Sequence, residues 1–517
     1  MASGPLHFVV CNYPAMGHTL PQLGLLRRIV QNRPDVVITL FVYAPHVNST
    51  RREVEYLLPE SFGVRLVGVG PYNGDTDRGF MAMAEAFTVL QEIIPEAYKE
   101  LVSRKRLTCS VTETLFDYSD VPLPTVVLSD MVTPFAGQAI KAISPEVKLI
   151  VSWMSTSAYF VQRFGLDALG GFGSLEEGVR AVLQGDVETE KIMEVAASIE
   201  ADFKGHPLVN PENLEMFDYG IYPQDVDNGS FLSTYVKAAR QTNKWADGAA
   251  ICSTRNFEPR AHEALRNWYE QQAGKKVFFV GPYTSPVSIP KVPRINAKTN
   301  KVISFLDSQP RQAVWLVSFG TLFYPFRHPN FVDTVLRTLL RANNPFIMSR
   351  AASTYTPISE EIVSEATERG LGLFDDFVPQ SAVLAHPSTG AFISHGGVNS
   401  MFESIEANVL AIFWPITGDQ HLNAAHMTLK HDCSFELIQV RTGTGAQPPK
   451  RGGVVHGTDE AVASEVEHII SDLKGPVGDR KRRNLAAVRA QLLQYLSKGD
   501  DADLEVQRLL DFGAPQR

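Results

Sequence analysis

Short apolar runs alternate with amphipathic helical patterns along both halves of the chain. Val, Ile and Phe are frequent in these runs, and flanking turn residues bound them, so we expect them to be buried β-strands. In the first half they occupy residues 6–11, 36–43, 64–69, 125–128, 147–153, 249–252 and 277–280. In the second half they occupy residues 313–319, 345–348, 371–373, 390–394 and 409–414. Strands that alternate with helices predict an α/β fold with parallel, doubly wound sheets.

The chain is long enough for two such sheets, because 517 residues exceed what one hydrophobic core ordinarily organises. Four prolines fall between residues 282 and 293, and a linker is therefore predicted at residues 284–300. We expect two Rossmann-like domains, at residues 1–283 and 301–480, that face each other across a cleft. An insertion is predicted at about residues 165–246, and a helical segment that packs back on the first domain at residues 481–517.

Composition and charge exclude several classes of function. A net charge of −9 gives no electrostatic reason to bind nucleic acid or an anionic membrane. The four cysteines lie far apart without a CxxC pair, so neither a disulfide framework nor a zinc ribbon is predicted. Pro14 and Gly17 interrupt any signal-peptide core, and the longest apolar run is about half a membrane span. We therefore expect a cytoplasmic protein without a membrane span. We also expect it to be a monomer.

Two titratable residues follow strands of the first predicted sheet. His18 comes after the first strand, directly before a helix predicted to begin near residues 19–21, and Asp130 follows the 125–128 strand. Ligands bind at the carboxyl ends of parallel strands, so both side chains are expected at one edge of the sheet. Asp130 would accept a hydrogen bond from one imidazole nitrogen and leave the other as a general base. The alternatives are two helix caps, or an exposed histidine.

Other familiar chemistries lack their motifs in this chain. The first turn has no GxGxxG, which argues against a dinucleotide-binding oxidoreductase, and GxSxG, a P-loop and HExxH are missing as well. Three histidines, His421, His426 and His431, are five residues apart. Each step of five rotates a side chain by about 140° on an α-helix, so they are not expected to converge on a metal ion.

The stretch from residue 377 to residue 423 concentrates the remaining polar motifs. FVPQ, SHGG and WPITGDQ, together with SFGT at residues 318–321, are turns at the ends of successive predicted strands. A helix that begins near Asn399 would offer free backbone N–H groups to an anion. Ser400 and Glu403 also match the S-x-x-E capping box, and a purely structural role for them stays open at this point.

This stretch closely resembles the donor-binding signature of the family 1 UDP-dependent glycosyltransferases, which are inverting enzymes with the GT-B fold. The signature reads W-A-P-Q, then H-P-x-x-G-x-F-x-x-H-C-G-W-N-S-x-x-E-S, then W-P-x-x-x-[DE]-Q-x-x-N-A. The chain shares with it Pro379, Gln380, His386, Pro387, Gly390, Phe392, His395, Gly397, Asn399, Ser400, Glu403, Ser404, Trp414, Pro415, Asp419, Gln420, Asn423 and Ala424. PAMGHTLP and VVLSD resemble the family's catalytic His and Asp segments, and VWLVSFGT resembles its diphosphate-contacting turn.

The resemblance implies a role for each matching residue. The base and ribose of UDP would contact Phe377, Val378 through its backbone, Gln380 and Glu403. The diphosphate would contact Thr321, His395, Asn399 and Ser400, in turns that also include Ser318, Gly320 and Gly397. The sugar hydroxyls would contact Asp419 and Gln420. The first domain would bind the acceptor, and side chains that we expect in an apolar acceptor pocket are Met16, Phe87, Phe135 and Trp153.

Three positions depart from the signature. Phe377 and Val398 stand where the family usually has Trp, and Gly396 stands where it usually has Cys. The stacking platform for uracil is therefore smaller, while the other two positions lie in a turn that acts mainly through its backbone. These departures are more typical of fungal or bacterial members than of plant members.

The resemblance also implies a mechanism. His18 would deprotonate an acceptor hydroxyl, Asp130 would stabilise the imidazolium, and attack opposite UDP would give a β-glycoside without a metal ion or other cofactor. Gln420 favours glucose as the donor sugar in this family, and an apolar pocket would suit a phenolic, flavonoid, terpenoid or sterol-like acceptor. The alternatives are another UDP-sugar (xylose, galactose or N-acetylglucosamine) and a non-catalytic nucleotide-sugar-binding protein.

Overall fold

The computed structural model describes residues 5–58, 62–75, 80–131, 133–183, 189–200, 202–225, 243–282, 297–320, 323–350, 358–376 and 378–515. The chain divides into two compact units. The first unit comprises residues 1–200, 228–285 and 494–517, and the second comprises residues 201–227 and 286–493. Each unit is built on a parallel sheet whose strands are joined through helices, so the doubly wound α/β class predicted from the sequence is confirmed.

The first unit contains a seven-stranded parallel sheet in the order β3-β2-β1-β6-β7-β8-β9 and a small hairpin. The sheet strands are β1 (His7–Cys11), β2 (Val37–Tyr43), β3 (Val64–Val69), β6 (Val126–Asp130), β7 (Lys148–Trp153), β8 (Gly248–Ile251) and β9 (Lys276–Phe279), and the hairpin strands are β4 (Leu107–Thr108) and β5 (Leu115–Phe116). Its helices are Met16–Asn32, Val47–Leu57, Phe80–Val102, Pro134–Ile143, Ser157–Phe164, Leu175–Val182, Thr189–Glu200, Pro259–Leu265 with the π-helical extension Arg266–Gln272, and Asp501–Gly513. Every residue of β1 is buried, as expected for a central strand covered by helices on both faces.

The second unit contains a six-stranded parallel sheet in the order β12-β11-β10-β13-β14-β15. Its strands are β10 (Val314–Ser318), β11 (Phe346–Ser349), β12 (Gly372–Asp375), β13 (Thr389–Ser394), β14 (Leu410–Phe413) and β15 (Phe435–Glu436). Its helices are Ala297–Asp307, Asn330–Arg341, Glu360–Glu368, Gln380–Ala385, Val398–Ala407, Gln420–Ala425 with the π-helical extension His426–Lys430, Asp459–Leu473, and Pro476–Tyr495, whose last residues cluster with the first unit. Buried side chains from β10, β11 and β13, among them Leu316, Ile347 and Phe392, form part of its core.

Two sequence-based boundaries need correction because they bear on the candidate site. The helix predicted to begin near residues 19–21 begins at Met16, since the N–H groups of His18 and Thr19 both donate to the Ala15 carbonyl. The strand predicted at residues 125–128 continues to Asp130, because Ser129 and Asp130 keep their pairing with neighbouring strands. His18 therefore lies within the first turn of its helix, and Asp130 is the last residue of β6.

Residues 202–225, which the sequence assigned to an insertion over the first domain, cluster instead with the second unit. We call this segment the strap. The Gln224 side chain donates to the Val440 carbonyl (2.8 Å), the Thr442 N–H donates to the Pro223 carbonyl (3.1 Å), and the Asp225 N–H donates to the Thr442 hydroxyl. Backbone groups of residues 440–442 are thus satisfied by residues more than 200 positions earlier, a pairing that local sequence patterns do not reveal.

One carboxylate connects residues 204–206 with residue 219 inside the strap. The Asp218 side chain accepts hydrogen bonds from the backbone N–H groups of Lys204, Gly205, His206 and Tyr219, over distances of 2.8 to 3.2 Å. Burial would raise the pKa of Asp218, but these N–H donors outweigh it and the pKa is lowered. The strap therefore has a defined, hydrogen-bonded conformation.

Most of the predicted linker, residues 284–296, lies outside the described residues, and its last residues already belong to the helix Ala297–Asp307. In the first unit, the Tyr495 hydroxyl donates to the Phe279 carbonyl (2.6 Å), which ties the C-terminal segment to β9. Among the helices that the structure describes, none is both long enough and apolar enough to cross a bilayer.

Candidate functional site

His18 and Asp130 are in direct contact at the carboxyl edge of the first sheet. His18 Nδ1 lies 2.9 Å and 3.1 Å from the two carboxylate oxygens of Asp130. The Asp130 side chain is completely buried, whereas the His18 side chain is 19% exposed. A buried carboxylate on Nδ1 fixes the ring orientation and the tautomer, so that Nε2 is the nitrogen that would take up a proton.

The structure gives a reason for this pairing. β1 and β6 are adjacent parallel strands, and Cys11 pairs with Ser129 one residue before Asp130. The chain turns after β1 and enters the helix Met16–Asn32, whose first turn carries His18. A helix N-terminus disfavours an imidazolium, and the Asp130 carboxylate supplies the opposing negative charge. The ring of Tyr13 packs edge-on against His18, with 5.5 Å between centroids.

Of the four side chains expected in the acceptor pocket, the structure describes Met16 and Trp153. Met16 is partly exposed in the first helical turn, two residues before His18. Trp153 is wrong as a pocket residue, because it has no exposed surface and its ring packs against Tyr159, Phe160 and Phe164. The side chains of Phe87 and Phe135 lie outside the described part of the structure.

Two matching turns end adjacent strands of the second sheet. Ser318 at the end of β10 pairs with Ser394 at the end of β13. In each case the serine hydroxyl accepts from the N–H of the glycine two residues later, Gly320 (3.4 Å) and Gly396 (3.1 Å). Both glycines have positive φ, +74° and +84°, a region that residues with a Cβ rarely adopt. The repeated Ser-x-Gly is visible in the sequence, but the pairing of the two turns is not.

His395 lies between these turns and is enclosed by glycine backbones. A Cβ at Gly320 would lie 2.9 Å from the imidazole Cε1, and a Cβ at Gly397 would lie 2.6 Å from its Nε2. The Phe323 ring, which sequence reasoning did not single out, stacks against His395 at a centroid distance of 6.0 Å. Burial lowers the pKa of His395 to about 4, with a smaller opposing effect from the Ser318 backbone. The ring is therefore neutral at pH 7 and offers hydrogen bonding rather than positive charge.

The helix Val398–Ala407 follows the second turn, and its N-cap is Gly397. No side chain caps it, so the capping-box alternative for Ser400 and Glu403 is wrong: both residues lie inside the helix, one turn apart. They face Gln380 instead, whose amide donates to the Ser400 hydroxyl (3.0 Å) and to the Glu403 carboxylate. Burial raises the pKa of Glu403, and the Gln380 hydrogen bond partly opposes this. The first-turn N–H groups of this helix can therefore serve an anion.

The third turn follows β14 and carries the two residues expected to bind the sugar. Asp419 is the N-cap of the helix Gln420–Ala425, yet its side chain makes no capping hydrogen bond. The Gln420 side chain folds back, and its Oε1 accepts from the N–H groups of Ile416 (2.7 Å) and Thr417 (3.1 Å). Gln420 is 1% exposed, so in this conformation it shapes the turn more than it faces solvent.

Two expected donor residues, Thr321 and Phe377, lie outside the described residues. Val378 follows β12, and its side chain belongs to the hydrophobic core, which fits a ligand contact through its backbone alone. Asn399 is partly buried in the first turn of its helix. The remaining expected donor residues are thus gathered at the carboxyl ends of β10, β12, β13 and β14.

The three histidines spaced five residues apart lie along a helix that changes from α-helical to π-helical. His421 lies on the α-helical part and His426 opens the π-helical extension, so the rotation of about 140° per step of five does not apply beyond His426. Both are buried, and the His426 Nδ1–H donates to the Leu422 carbonyl (2.8 Å). Within the described residues, no three His, Cys, Asp or Glu side chains cluster closely enough to hold a metal ion.

The chain resembles known UDP-glycosyltransferases in sequence and in fold. Residues 302–444 match the sequence model of the family described as "UDP-glucoronosyl and UDP-glucosyl transferase". UDP-glycosyltransferase eriJ of Hericium erinaceus is 24% identical over 543 aligned residues that cover 99% of each chain. Anthocyanidin 3-O-glucosyltransferase of Zea mays is 28% identical over 211 residues, which cover 40% of each chain. The crystal structure of Medicago truncatula UGT71G1 complexed with UDP-glucose aligns with 99% of each chain at a TM-score of 0.68 and 16% identity.

The fold is therefore that of the GT-B glycosyltransferases. Residues 302–444 carry the domain of that family, and the chain is a UDP-glycosyltransferase, an enzyme that transfers a sugar from a UDP-sugar.

Proposed function

We propose that the protein transfers glucose from UDP-glucose to a hydroxyl group of a small apolar molecule and inverts the anomeric configuration. The observation that carries this proposal is the contact of His18 with the buried carboxylate of Asp130 at 2.9 Å. A protein that only bound nucleotide sugars would have no use for an oriented base. The two catalytic residues belong to the first unit, and the donor residues belong to the second.

In the proposed reaction His18 Nε2 takes the proton of the acceptor hydroxyl. The oxygen forms a bond to the anomeric carbon while the bond from that carbon to the UDP oxygen breaks, so an α-linked donor gives a β-glycoside. Asp130 stabilises the imidazolium that forms, because its carboxylate is already in place and needs no reorganisation. UDP leaves with the electron pair of the broken bond.

The leaving diphosphate gains negative charge, and the second unit offers neutral donors to receive it. These are the N–H groups of the uncapped helix Val398–Ala407 and the imidazole of His395. Preorganised backbone donors at a helix N-terminus stabilise developing charge without a cation. We therefore propose that turnover needs no metal ion.

The sugar and the acceptor are proposed from other observations than the reaction type. Gln420 and Asp419 occupy the positions that the family signature gives to sugar contacts, and the Zea mays relative is named as a glucosyltransferase of anthocyanidin. Partly exposed Met16 beside His18 suits an apolar acceptor. We extend the proposal to phenolic, flavonoid, terpenoid or sterol-like acceptors, and to a cytoplasmic monomer.

One assay tests the proposal. The purified protein is incubated with UDP-glucose, UDP-xylose, UDP-galactose or UDP-N-acetylglucosamine and a panel of phenols and sterols, with and without EDTA. We expect a β-glucoside by mass spectrometry and NMR, undiminished by EDTA. Absence of product with every donor would favour a binding protein.

Two variants test the base. We expect His18→Ala to lose about 10³-fold or more in kcat, and Asp130→Asn about 10²-fold or more, with the donor KM nearly unchanged. Asp130→Asn keeps the size of the side chain and removes only its charge, so it controls for packing. Turnover of His18→Ala near that of the wild type would refute the assignment.

A further inference from the structure

Asn423 links two parts of the donor site that lie far apart in sequence. Its side-chain amide donates to the Gly396 carbonyl (2.9 Å) and to the Asp419 carboxylate (2.9 Å). Its backbone N–H also donates to the Asp419 carbonyl (3.0 Å). One residue therefore connects the turn before the helix Val398–Ala407 with the N-cap of the helix Gln420–Ala425.

The chemistry of these partners fixes the orientation of the amide. Both atoms that face it, a carbonyl and a carboxylate oxygen, are acceptors, so the NH₂ group must point toward them and Oδ1 must point away. Oδ1 is buried and has no hydrogen-bond partner among the described residues. Asn423 has no exposed surface at all. A buried amide oxygen without a hydrogen bond lowers the free energy of unfolding. We therefore look for the role of Asn423 in the two hydrogen bonds that its NH₂ group donates.

The contact also explains why Asp419 does not cap its own helix. An Asp at the N-cap usually accepts from N–H groups of the first turn, which would draw its carboxylate toward the helix axis. Here the carboxylate is held from the side by Asn423, and the described helix N-terminus has no side-chain cap. The hydrogen bonds of Asn423 thereby fix the position of the Asp419 carboxylate relative to the Gly396 turn.

We propose that Asn423 is a positioning residue of the donor site, which sets the Asp419 carboxylate relative to the Gly396–Gly397 turn through its side-chain amide. The proposal rests on the proposed function, in which the turn binds the diphosphate and Asp419 binds the sugar. Asn423 itself touches neither. It sets the distance between the two subsites, and so determines whether a diphosphate and its attached hexose are bound together.

The test is a double-mutant cycle on the full-length protein, with binding of UDP and of UDP-glucose measured by calorimetry. Four proteins are compared: wild type, Asn423→Leu, Asp419→Ala and the double variant. Leu matches Asn in size and removes both donor contacts. We expect Asn423→Leu to raise the Kd of UDP-glucose about tenfold or more and that of UDP less than about twofold. In the Asp419→Ala background the same change should alter the Kd of UDP-glucose less than about twofold.

Two further variants separate positioning from packing. Asn423→Asp has the same shape but turns an acceptor toward the Asp419 carboxylate, so we expect it to lose at least as much UDP-glucose affinity as Asn423→Leu. Asn330, an exposed residue at the start of the helix Asn330–Arg341 in the second unit, makes a similar contact to Asp459 (2.8 Å), and Asn330→Leu should change neither Kd. Melting temperatures verify that each variant is folded.

The outcomes are distinguishable. Equal losses for UDP and UDP-glucose, additive effects in the cycle, or wild-type affinity in Asn423→Asp would overturn the role of Asn423 and leave the proposed function intact. A wild-type protein that binds UDP but not UDP-glucose would overturn the proposed function and this inference together.

Discussion

Three glycines around the donor turns allow steric and conformational effects to be separated. Gly397 has an ordinary φ of −58°, but an added Cβ would lie 2.6 Å from His395 Nε2. Gly418 has a φ of +69° with no atom within 4 Å of an added Cβ. Gly320 combines both, with a φ of +74° and a contact of 2.9 Å to His395. Alanine at each position therefore introduces a clash, strain, or both.

The magnitudes follow from these distances. In Gly397→Ala the imidazole must retreat by about 0.8 Å before the contact reaches 3.4 Å, where ordinary van der Waals packing begins. A displacement near 1 Å of a group that contacts the reacting centre costs up to about 10²-fold in rate. In Gly418→Ala the left-handed backbone conformation costs about 1 kcal/mol of stability and moves no ligand-binding atom. Gly320→Ala should show both penalties.

The assay is steady-state kinetics with UDP-glucose together with thermal unfolding of each variant. We expect Gly397→Ala to lower kcat/KM for the donor by about 10- to 100-fold with little change in melting temperature. Gly418→Ala should lower the melting temperature by a few degrees and leave kcat/KM within about twofold. If Gly397→Ala keeps wild-type kcat/KM, the position of His395 does not matter for donor binding, and the reasoning about this turn is wrong.

Three more predictions follow from single contacts. Burial raises the pKa of Glu258 to about 7, against opposing hydrogen bonds from Ser253, Ala158 and Ser157. Folding then takes up a proton between about pH 4.5 and 7, so the contribution of Glu258 to the free energy of unfolding falls by up to about 3 kcal/mol as pH rises through that window. The difference in melting temperature between wild type and Glu258→Gln should therefore change between these pH values. A constant difference would contradict the raised pKa of Glu258. An added Cβ at Gly445 would lie 2.4 Å from the Tyr222 carbonyl of the strap, whereas one at Gly475 would have its nearest contact at 3.6 Å, so differential scanning calorimetry should find Gly445→Ala clearly destabilised and Gly475→Ala not. Phe377→Ala should raise the donor KM several-fold, since stacking of a base on an aromatic ring is worth roughly 1–3 kcal/mol. An unchanged KM would refute the stacking of uracil on Phe377.

Sequence patterns were sufficient to predict the site residues that lie directly at the ends of strands. His18 follows β1 and Asp130 ends the adjacent parallel strand β6, and any parallel sheet brings such positions to one edge, so their contact was predictable without coordinates. The turns after β10, β13 and β14 were predictable for the same reason. Bounds of these strands moved by only one or two residues.

Other features depend on contacts that a local pattern does not contain. Ser400 and Glu403 have the spacing of a capping box, but the helix begins two residues before Ser400, and Gln380 from another helix engages both. Trp153 looks like a pocket aromatic because it ends a strand, yet neighbouring rings enclose it. The strap is the clearest case, because the hydrogen-bond partners of Pro223, Gln224 and Asp225 lie beyond residue 439.

The strap also limits how this gene can be divided. A fragment that begins at the predicted linker omits residues 202–225, and would leave the carbonyl of Val440 and the N–H of Thr442 without their present partners. During translation the strap leaves the ribosome more than 200 residues before residues 440–442, so the second unit cannot complete its hydrogen bonding until synthesis is nearly finished. Chimaeras that exchange C-terminal halves between relatives should therefore also exchange the strap. Such a chimaera has three junctions instead of one: the two ends of the strap and the predicted linker.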